Sequence, residues 1–220
     1  MGKTRTALLA GATGLIGSHC LKLLLDDPAY SKVTIIARKK IELNHPKLVA
    51  VCINFDQLDE LSAKIDPVDD AFCCLGTTLK AAGSKEAFHL VDYTYCLEYA
   101  KLALKLQAKQ FLLVSSLGAD SRSGVFYSRV KGELEDALKV LSFGALKIFQ
   151  PSLLLGARTE VRAGEAIAQK ILPALSPLFR GPLRKYKAIE GSDVAAAMVA
   201  VAKKDVPGSE TFQSDRISQS

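Results

Sequence analysis

Three glycines near the start of the chain constrain its fold more than any other feature. Gly11, Gly14 and Gly17 recur at intervals of three residues, after an apolar run and before an amphipathic stretch. The first glycine of such a loop permits a tight turn, and the second lets the backbone approach a ligand closely. The third allows a helix to pack tightly on a strand. The sequence therefore predicts a strand, a glycine-rich loop and a helix in succession.

The rest of the chain repeats this order of strand and helix. Short apolar runs predict six strands, over residues 6–10, 32–37, 48–54, 70–75, 110–115 and 145–150. Amphipathic stretches predict five helices, over residues 15–25, 84–106, 127–141, 164–172 and 192–202. Such alternation is typical of a parallel sheet with helices on both faces. We therefore predict an α/β protein with a doubly wound parallel sheet, the Rossmann fold.

A helix that begins at a glycine-rich loop offers free backbone N–H groups and a positive dipole end to phosphates. The strand before the loop and the helix after it therefore indicate a dinucleotide-binding site. The spacing G-x-x-G-x-x-G differs from the G-x-G-x-x-G dehydrogenase pattern. This difference favours relatives of the short-chain dehydrogenase/reductase type.

A basic cluster occupies the sequence position at which NAD-binding and NADP-binding proteins differ. NAD-binding proteins place an acidic residue about twenty residues after the last glycine, where it holds the ribose 2′-hydroxyl. This chain has Arg38 there, followed by Lys39 and Lys40, and a guanidinium binds phosphate through paired hydrogen bonds. The sequence favours NADP(H) over NAD(H), with a solvated strand end as the alternative. Asp56, just past the third strand, is a candidate either for the adenine amino group or for a helix N-cap.

A serine, a tyrosine and a lysine accompany the fifth predicted strand. Tyr127 and Lys131 are four residues apart and share one face of a predicted helix. Ser115 and Ser116 end the strand, where ligands of open α/β sheets gather. We expect Tyr127 to exchange a proton with the substrate, and Lys131 to favour the phenolate and hold the nicotinamide ribose. Ser116, or less favourably Ser115, would orient the carbonyl oxygen.

These motifs resemble those of a known superfamily. The loop over residues 11–17 and the Tyr127/Lys131 pair are similar to those of short-chain dehydrogenases/reductases, in their extended or atypical branch. A narrower resemblance, to the Tat-interacting-protein type of NADP-binding oxidoreductase, is carried by the segments 73–78, 115–120 and 127–135. The similarity covers about residues 6–156, with weaker agreement beyond.

The resemblance implies further contacts to the cofactor. It implies that the pyrophosphate contacts come from Thr13, Gly14, Leu15 and Ile16. It implies that the adenine-ribose side is lined by Leu75, Gly76 and Thr77, and that Pro151 and its neighbours flank the nicotinamide. Relatives often carry asparagine where this chain has Asp92. An aspartate there can hold a water or the backbone, although a full proton relay is in doubt.

The sequence leaves two functions open. An NADP(H)-dependent oxidoreductase acting on a small carbonyl or alcohol is favoured by the Ser-Tyr-Lys set. An NADP(H)-sensing regulatory protein is favoured by the small substrate-side region, about residues 153–220 of what we predict to be one domain over residues 1–220. That short region argues against a nucleotide-sugar epimerase. Its cations could receive an anionic substrate or face water; they are Arg158, Arg162, Arg180, Arg184, Lys185 and Lys187.

Composition limits the classes of partner that we expect this protein to bind. The net charge is +6, yet no basic stripe carries the interleaved aromatic residues that nucleic-acid binding would need. No apolar run approaches the roughly eighteen residues of a membrane span. The five cysteines lack C-x-x-C spacing and the three histidines are scattered, which predicts reduced buried thiols, no metal site and a cytoplasmic protein. The helices over residues 84–106 and 127–141 could pair in a homodimer.

Overall fold

The computed structural model describes residues 4–155 and 186–219, and parallel strands alternate with helices along them. The strands are β1 (Arg5–Ala10), β2 (Tyr30–Ala37), β3 (Leu48–Cys52), β4 (Asp70–Cys73), β5 (Gln110–Val114), β6 (Ala145–Gln150), β7 (Leu154–Leu155), β8 (Ile189–Glu190) and β9 (Gly208–Gln213). The helices are α1 (Leu15–Asp26), α2 (Leu79–Ala82), α3 (Lys85–His89), α4 (Tyr95–Lys105), α5 (Phe126–Lys139), α6 (Gly191–Lys204) and α7 (Ser214–Ile217). A 3₁₀-helical segment covers Phe55–Ala63, and a π-helical turn covers Leu90–Thr94.

Within the described residues, the main sheet has seven strands in the order β3-β2-β1-β4-β5-β6-β9, and every pair is parallel. The chain moves outward in one direction from β1 to β3 and then returns to place β4 on the other side of β1. This reversal opens a crevice at the carboxyl ends of β1 and β4, where ligands of such sheets bind. The doubly wound parallel sheet predicted from the sequence is confirmed.

Both faces of the sheet are buried. Along β1, Ala7 and Leu9 belong to the core beneath α1 and α6, whereas Leu8 and Ala10 belong to the core beneath α4 and α5. Successive side chains of a strand point to opposite faces. The continuous apolar run of β1 is therefore what a strand covered on both sides requires.

Several elements differ from the sequence-based expectation, which did not include β7, β8, β9, α2 or α7. The single helix predicted over residues 84–106 is interrupted by the π-helical turn, which separates α3 from α4. The strand β9 was missed because its residues are largely polar and only one of them is buried, as an edge strand that pairs on one side only allows. The predicted helix over residues 164–172 lies outside the described residues, as do Arg158, Arg162, Arg180, Arg184 and Lys185.

The cysteines lie where the strand pattern predicts, with one exception. Cys73 joins the core beneath α4 and α5, while Cys74 packs against the core beneath α1 and α6, so these neighbours face opposite sides of the sheet. All five thiols are free. Cys52 is exposed, because β3 is an edge strand, and the expectation that every cysteine is buried is wrong there.

Candidate functional site

The backbone of the glycine-rich loop leaves no room for a side chain at Gly11 or Gly17. Gly11 has a φ of +84°, and a Cβ there would lie 2.4 Å from the carbonyl oxygen of Cys74. A Cβ on Gly17 would lie 2.0 Å from the carbonyl oxygen of Gly11. The N-cap of α1 is Gly14, which has no capping side chain, and the first turn carries no acidic residue. The backbone N–H groups of this turn therefore suit an anionic ligand.

A cavity of about 1490 Å³ opens in front of this loop, along the carboxyl edge of the sheet. Small-ligand sites commonly measure about 300–1,000 Å³, so the space exceeds what one small substrate needs. The sequence-predicted residues that line it are Thr13, Gly14, Leu15, Ile16, Leu75, Gly76, Thr77, Ser115, Ser116, Tyr127, Lys131 and Pro151. Lining residues that sequence reasoning did not single out include Thr78, Lys80, Leu117, Leu154, Tyr186 and Gln213.

The remaining predicted site residues lie behind or beside the cavity. Gly11 and Gly17 support the loop from behind and are absent from the lining, as are the three polar candidates Arg38, Lys39 and Asp56. These three are exposed near the carboxyl ends of β2 and β3. They therefore lie at the same carboxyl edge of the sheet as the cavity, outside its wall.

Asp56 has a partner that the sequence did not reveal. Burial raises the pKa of the Tyr95 phenol, a hydrogen bond with Asp56 raises it further, and Arg38 acts in the opposite direction. Tyr95, Asp56 and Arg38 therefore lie close enough to interact. The N-cap alternative for Asp56 is wrong, because Asn54 caps the 3₁₀ segment and accepts from the Asp56 N–H.

The two adjacent serines have different surroundings. Ser115 is buried and its hydroxyl donates to the carboxylate of Glu135. That carboxylate also accepts from Gln150 Nε2, at 2.9 Å and 3.1 Å. Ser116 is half-buried on the cavity wall, and its hydroxyl makes a 3.4 Å contact with the carbonyl oxygen of Leu117. Ser116 is thus the serine whose hydroxyl can reorient toward a ligand.

Tyr127 and Lys131 both face the cavity from α5. The Tyr127 ring packs 5.5 Å from the ring of Phe88. Glu135 lies one further turn along the same face of α5, and its role in holding Ser115 was missed. The spacing of four residues after Lys131 is the one signal that could have indicated it.

Lys131 is paired with a buried carboxylate. Its Nζ lies 2.7 Å from Oδ1 of Asp92, and the side chains are 5% and 0% exposed. Oδ2 of Asp92 accepts from the backbone N–H of Thr77 at 2.8 Å. Burial lowers the pKa of the Lys131 ammonium, but Asp92, Tyr127 and Cys96 together raise it above its ordinary value. Lys131 therefore remains charged at the cavity wall.

Comparison with known proteins places the chain in a family. A family model described as NAD(P)H-binding matches residues 11–147, which span the glycine-rich loop and the Tyr127/Lys131 pair. The chain belongs to this NAD(P)H-binding family. Protein HTATIP2 of Rattus norvegicus is 38% identical over 176 residues, which are 79% of this chain and 72% of that protein. Mitochondrial protein fmp52 of Emericella nidulans is 33% identical over 216 residues, which are 95% of this chain and 92% of that protein.

Solved structures share the fold of this NAD(P)H-binding protein at low identity. The Bordetella bronchiseptica enzyme WbmH, in complex with NAD+, has a TM-score of 0.72 and 18% identity, covering 96% of this chain and 76% of that one. The human epimerase family protein SDR39U1, with NADPH, has a TM-score of 0.61 and 19% identity, covering 94% and 74%. The relative HTATIP2 confirms the resemblance to the Tat-interacting-protein type, and the solved structures confirm the fold that this resemblance implies.

The site fits a nicotinamide dinucleotide. Gly11 and Gly17 let the loop pack directly against backbone that any Cβ would strike, and the α1 N-terminus presents backbone donors beside them. The cavity continues from there to Ser116, Tyr127 and Lys131. Residues of the loop would hold the pyrophosphate, and the wall formed by Gly76, Thr77 and Lys131 would face the riboses.

The expected cytoplasmic location is wrong. Relatives from Emericella nidulans, Lodderomyces elongisporus and Candida albicans, at 33%, 32% and 32% identity, are named as mitochondrial proteins. The expectation rested on unpaired cysteines, which argue against a disulfide framework but do not separate one reducing compartment from another. Within the described ranges, the structure contains no helix both long and apolar enough to cross a membrane.

Proposed function

We propose that this protein is an NADP(H)-dependent oxidoreductase of the short-chain dehydrogenase/reductase type, acting on a small carbonyl or alcohol. The observation that carries the proposal is the convergence of Ser116, Tyr127 and Lys131 on the cavity that begins at the glycine-rich loop. A site that only binds cofactor needs no phenol beside the substrate space. The names of the fungal relatives support a mitochondrial location.

The proposed chemistry divides between cofactor and protein. A bound nicotinamide supplies a hydride in the reductive direction and accepts one in the oxidative direction. In reduction, Tyr127 Oη gives its proton to the carbonyl oxygen, while Ser116 Oγ donates a hydrogen bond to that oxygen. The alcohol leaves, and solvent returns a proton to the phenolate of Tyr127. The ammonium of Lys131 favours this phenolate through its charge.

The first test removes the proton donor. Tyr127→Phe should lower kcat for any carbonyl that the wild-type protein reduces by about 10²–10⁴-fold, the usual contribution of a positioned general acid. NADPH affinity, measured by fluorescence titration, should be nearly unchanged. Tyr93→Phe, a tyrosine in the π-helical turn, is the matched control and should retain activity.

The outcomes separate the two functional classes. Undiminished turnover in Tyr127→Phe would overturn the proposed role of this residue. Tight NADPH binding without turnover across a panel of small aldehydes and ketones would favour the NADP(H)-sensing protein instead. Absence of NADPH and NADH binding would contradict both.

The preference for NADP(H) is tested separately at Arg38. Its exposed guanidinium follows β2 directly and is followed by Lys39, which supports a site for the 2′-phosphate. Arg38→Asp should raise the Kd for NADPH at least about tenfold, as expected when a charge-assisted contact worth roughly 1.5–3 kcal/mol is lost. The Kd for NADH should change little. Lys22→Asp, the same charge change on the exposed side of α1, is the control, and equal effects on both nucleotides would contradict the assignment.

A further inference from the structure

A single buried carboxylate joins three segments around the cavity. Asp92 lies in the π-helical turn between α3 and α4 and is fully buried. One oxygen binds Lys131 of α5, and the other accepts from the Thr77 N–H in the loop after β4. A π-helical turn shifts the register of a helix and is frequent at functional sites. The turn thus carries Asp92 into the space between the loop and α5.

The position of Gly76 shows how closely this space is filled. A Cβ on Gly76 would lie 3.3 Å from Oδ1 of Asp92 and 3.7 Å from Nζ of Lys131. The ion pair therefore lies directly behind the exposed backbone of the loop. Asp92 and Lys131 both contribute to the cavity wall.

The pairing has an energetic reason. Removing a charge from water costs several kcal/mol even after relaxation, and a buried amine without a partner loses its proton instead. Asp92 offsets that cost for Lys131. It also fixes the direction of Nζ, because the second carboxylate oxygen is anchored to the backbone of Thr77.

We propose that Asp92 is a positioning residue that keeps Lys131 an ammonium of fixed direction and assembles the ribose-facing wall before the cofactor binds. This inference rests on the proposed function, in which Lys131 holds the nicotinamide ribose and favours the phenolate of Tyr127. An asparagine could keep the bond to Thr77 but would not balance the charge of Lys131. In this chain the carboxylate therefore contributes its charge as well as its shape to the site.

A titration of Lys131 depends on the titratable groups that surround its ammonium. The π-helical turn contributes Asp92, α4 contributes the Cys96 thiol, and α5 contributes the Tyr127 phenol. Glu135 follows one turn later on α5, where it is bonded to Ser115 and Gln150. Among these groups, Asp92 is the one in direct ionic contact with Nζ.

The test measures the protonation of Lys131 in the apoprotein. Cyanate carbamylates unprotonated amines, and peptide mass spectrometry gives the pH of half-maximal carbamylation for each lysine. In the wild type this midpoint should be higher for Lys131 than for Lys139, an exposed lysine of the same helix. In Asp92→Asn the Lys131 midpoint should fall by more than about one pH unit, since the largest contribution that opposes burial is then lost.

A matched control and a second readout complete the experiment. Asp136→Asn removes the carboxylate partner of Lys139 and should leave the Lys131 midpoint unchanged. The Kd of Asp92→Asn for NADPH should rise with pH through the new Lys131 midpoint, whereas the wild-type Kd should show no such step. The turnover rate of Asp92→Asn should likewise fall as the pH rises through the same midpoint.

Two results would overturn the proposal. One is a wild-type Lys131 midpoint at or below that of Lys139, which decides the matter even if Asp92→Asn does not fold. The other is a folded Asp92→Asn protein with an unchanged midpoint and an unchanged pH dependence of the NADPH Kd. Because carbamylation requires no turnover, failure of the proposed oxidoreductase activity would be recognised separately.

Discussion

Ser115 and Ser116 differ by one position at the end of β5, and this difference decides what each hydroxyl can do. Neighbouring residues of an extended chain face opposite sides. Both serines line the cavity, but the Ser115 hydroxyl is bonded to Glu135, whereas the Ser116 hydroxyl makes only a 3.4 Å contact with the carbonyl oxygen of Leu117. What each hydroxyl can do therefore depends on the partner that it already has.

This difference predicts opposite effects for two conservative substitutions. Ser116→Ala should lower kcat about 10²-fold or more, the usual effect of losing a donor to a developing oxyanion, and leave the free energy of unfolding unchanged. Ser115→Ala should instead lower the free energy of unfolding by about 1–3 kcal/mol, because the buried Glu135 carboxylate loses a donor. Urea denaturation and steady-state kinetics measure both. Loss of kcat in a fully stable Ser115→Ala protein, with active Ser116→Ala, would reverse the roles.

At the scale of elements, the π-helical turn and β9 determine the shape of the site. The turn places Asp92 toward α5 and lets α3 carry Phe88 against the Tyr127 ring. β9 extends the sheet beyond β6 and contributes Gln213 to the cavity wall. The pairing of α4 and α5 between two subunits stays a prediction.

At the scale of the whole molecule, a polar network ties the amino ends of the strands together, opposite the cavity. Its centre is the fully buried carboxylate of Asp70, the first residue of β4. It accepts from Arg5 Nε and Nη2 at 2.7 Å and 2.6 Å, from Tyr30 Oη at 2.7 Å and from Gln110 Nε2 at 2.7 Å. Gln110 Nε2 also donates to the carbonyl of Ala202 in α6 at 2.7 Å. One carboxylate thus joins four strands and a helix.

Asp70→Asn should destabilise the whole protein. The amide would turn an N–H toward donors and leave Arg5 without its buried partner, so the free energy of unfolding should fall by about 3–5 kcal/mol. Asp66→Asn is the control, because it breaks the exposed pair with Lys32 and should leave the denaturation midpoint unchanged. Equal midpoints for the two variants in urea would show that the network does not stabilise the fold.

Local patterns in the sequence were sufficient to predict much of the fold and several residues of the cavity wall. The glycine spacing and the alternation of apolar and amphipathic runs predicted the doubly wound sheet. The same patterns predicted that Tyr127, Lys131 and Ser116 lie at one edge of the sheet, since the carboxyl ends of parallel strands meet there. These inferences succeed because they depend on residues close together in the chain.

Contacts between distant segments could not be predicted from the sequence. Asp92 meets Lys131 across 39 positions and Asp70 meets Arg5 across 65, and neither pairing leaves a periodic trace in the sequence. The polar edge strand β9 also depends on its neighbour, because β6 supplies the hydrogen bonds that define it. Sequence patterns were thus enough to predict the sheet, the loop and the face of α5 that meets the cavity. The folded chain decided which buried charges pair behind that face, because such pairing depends on which distant segments packing brings together.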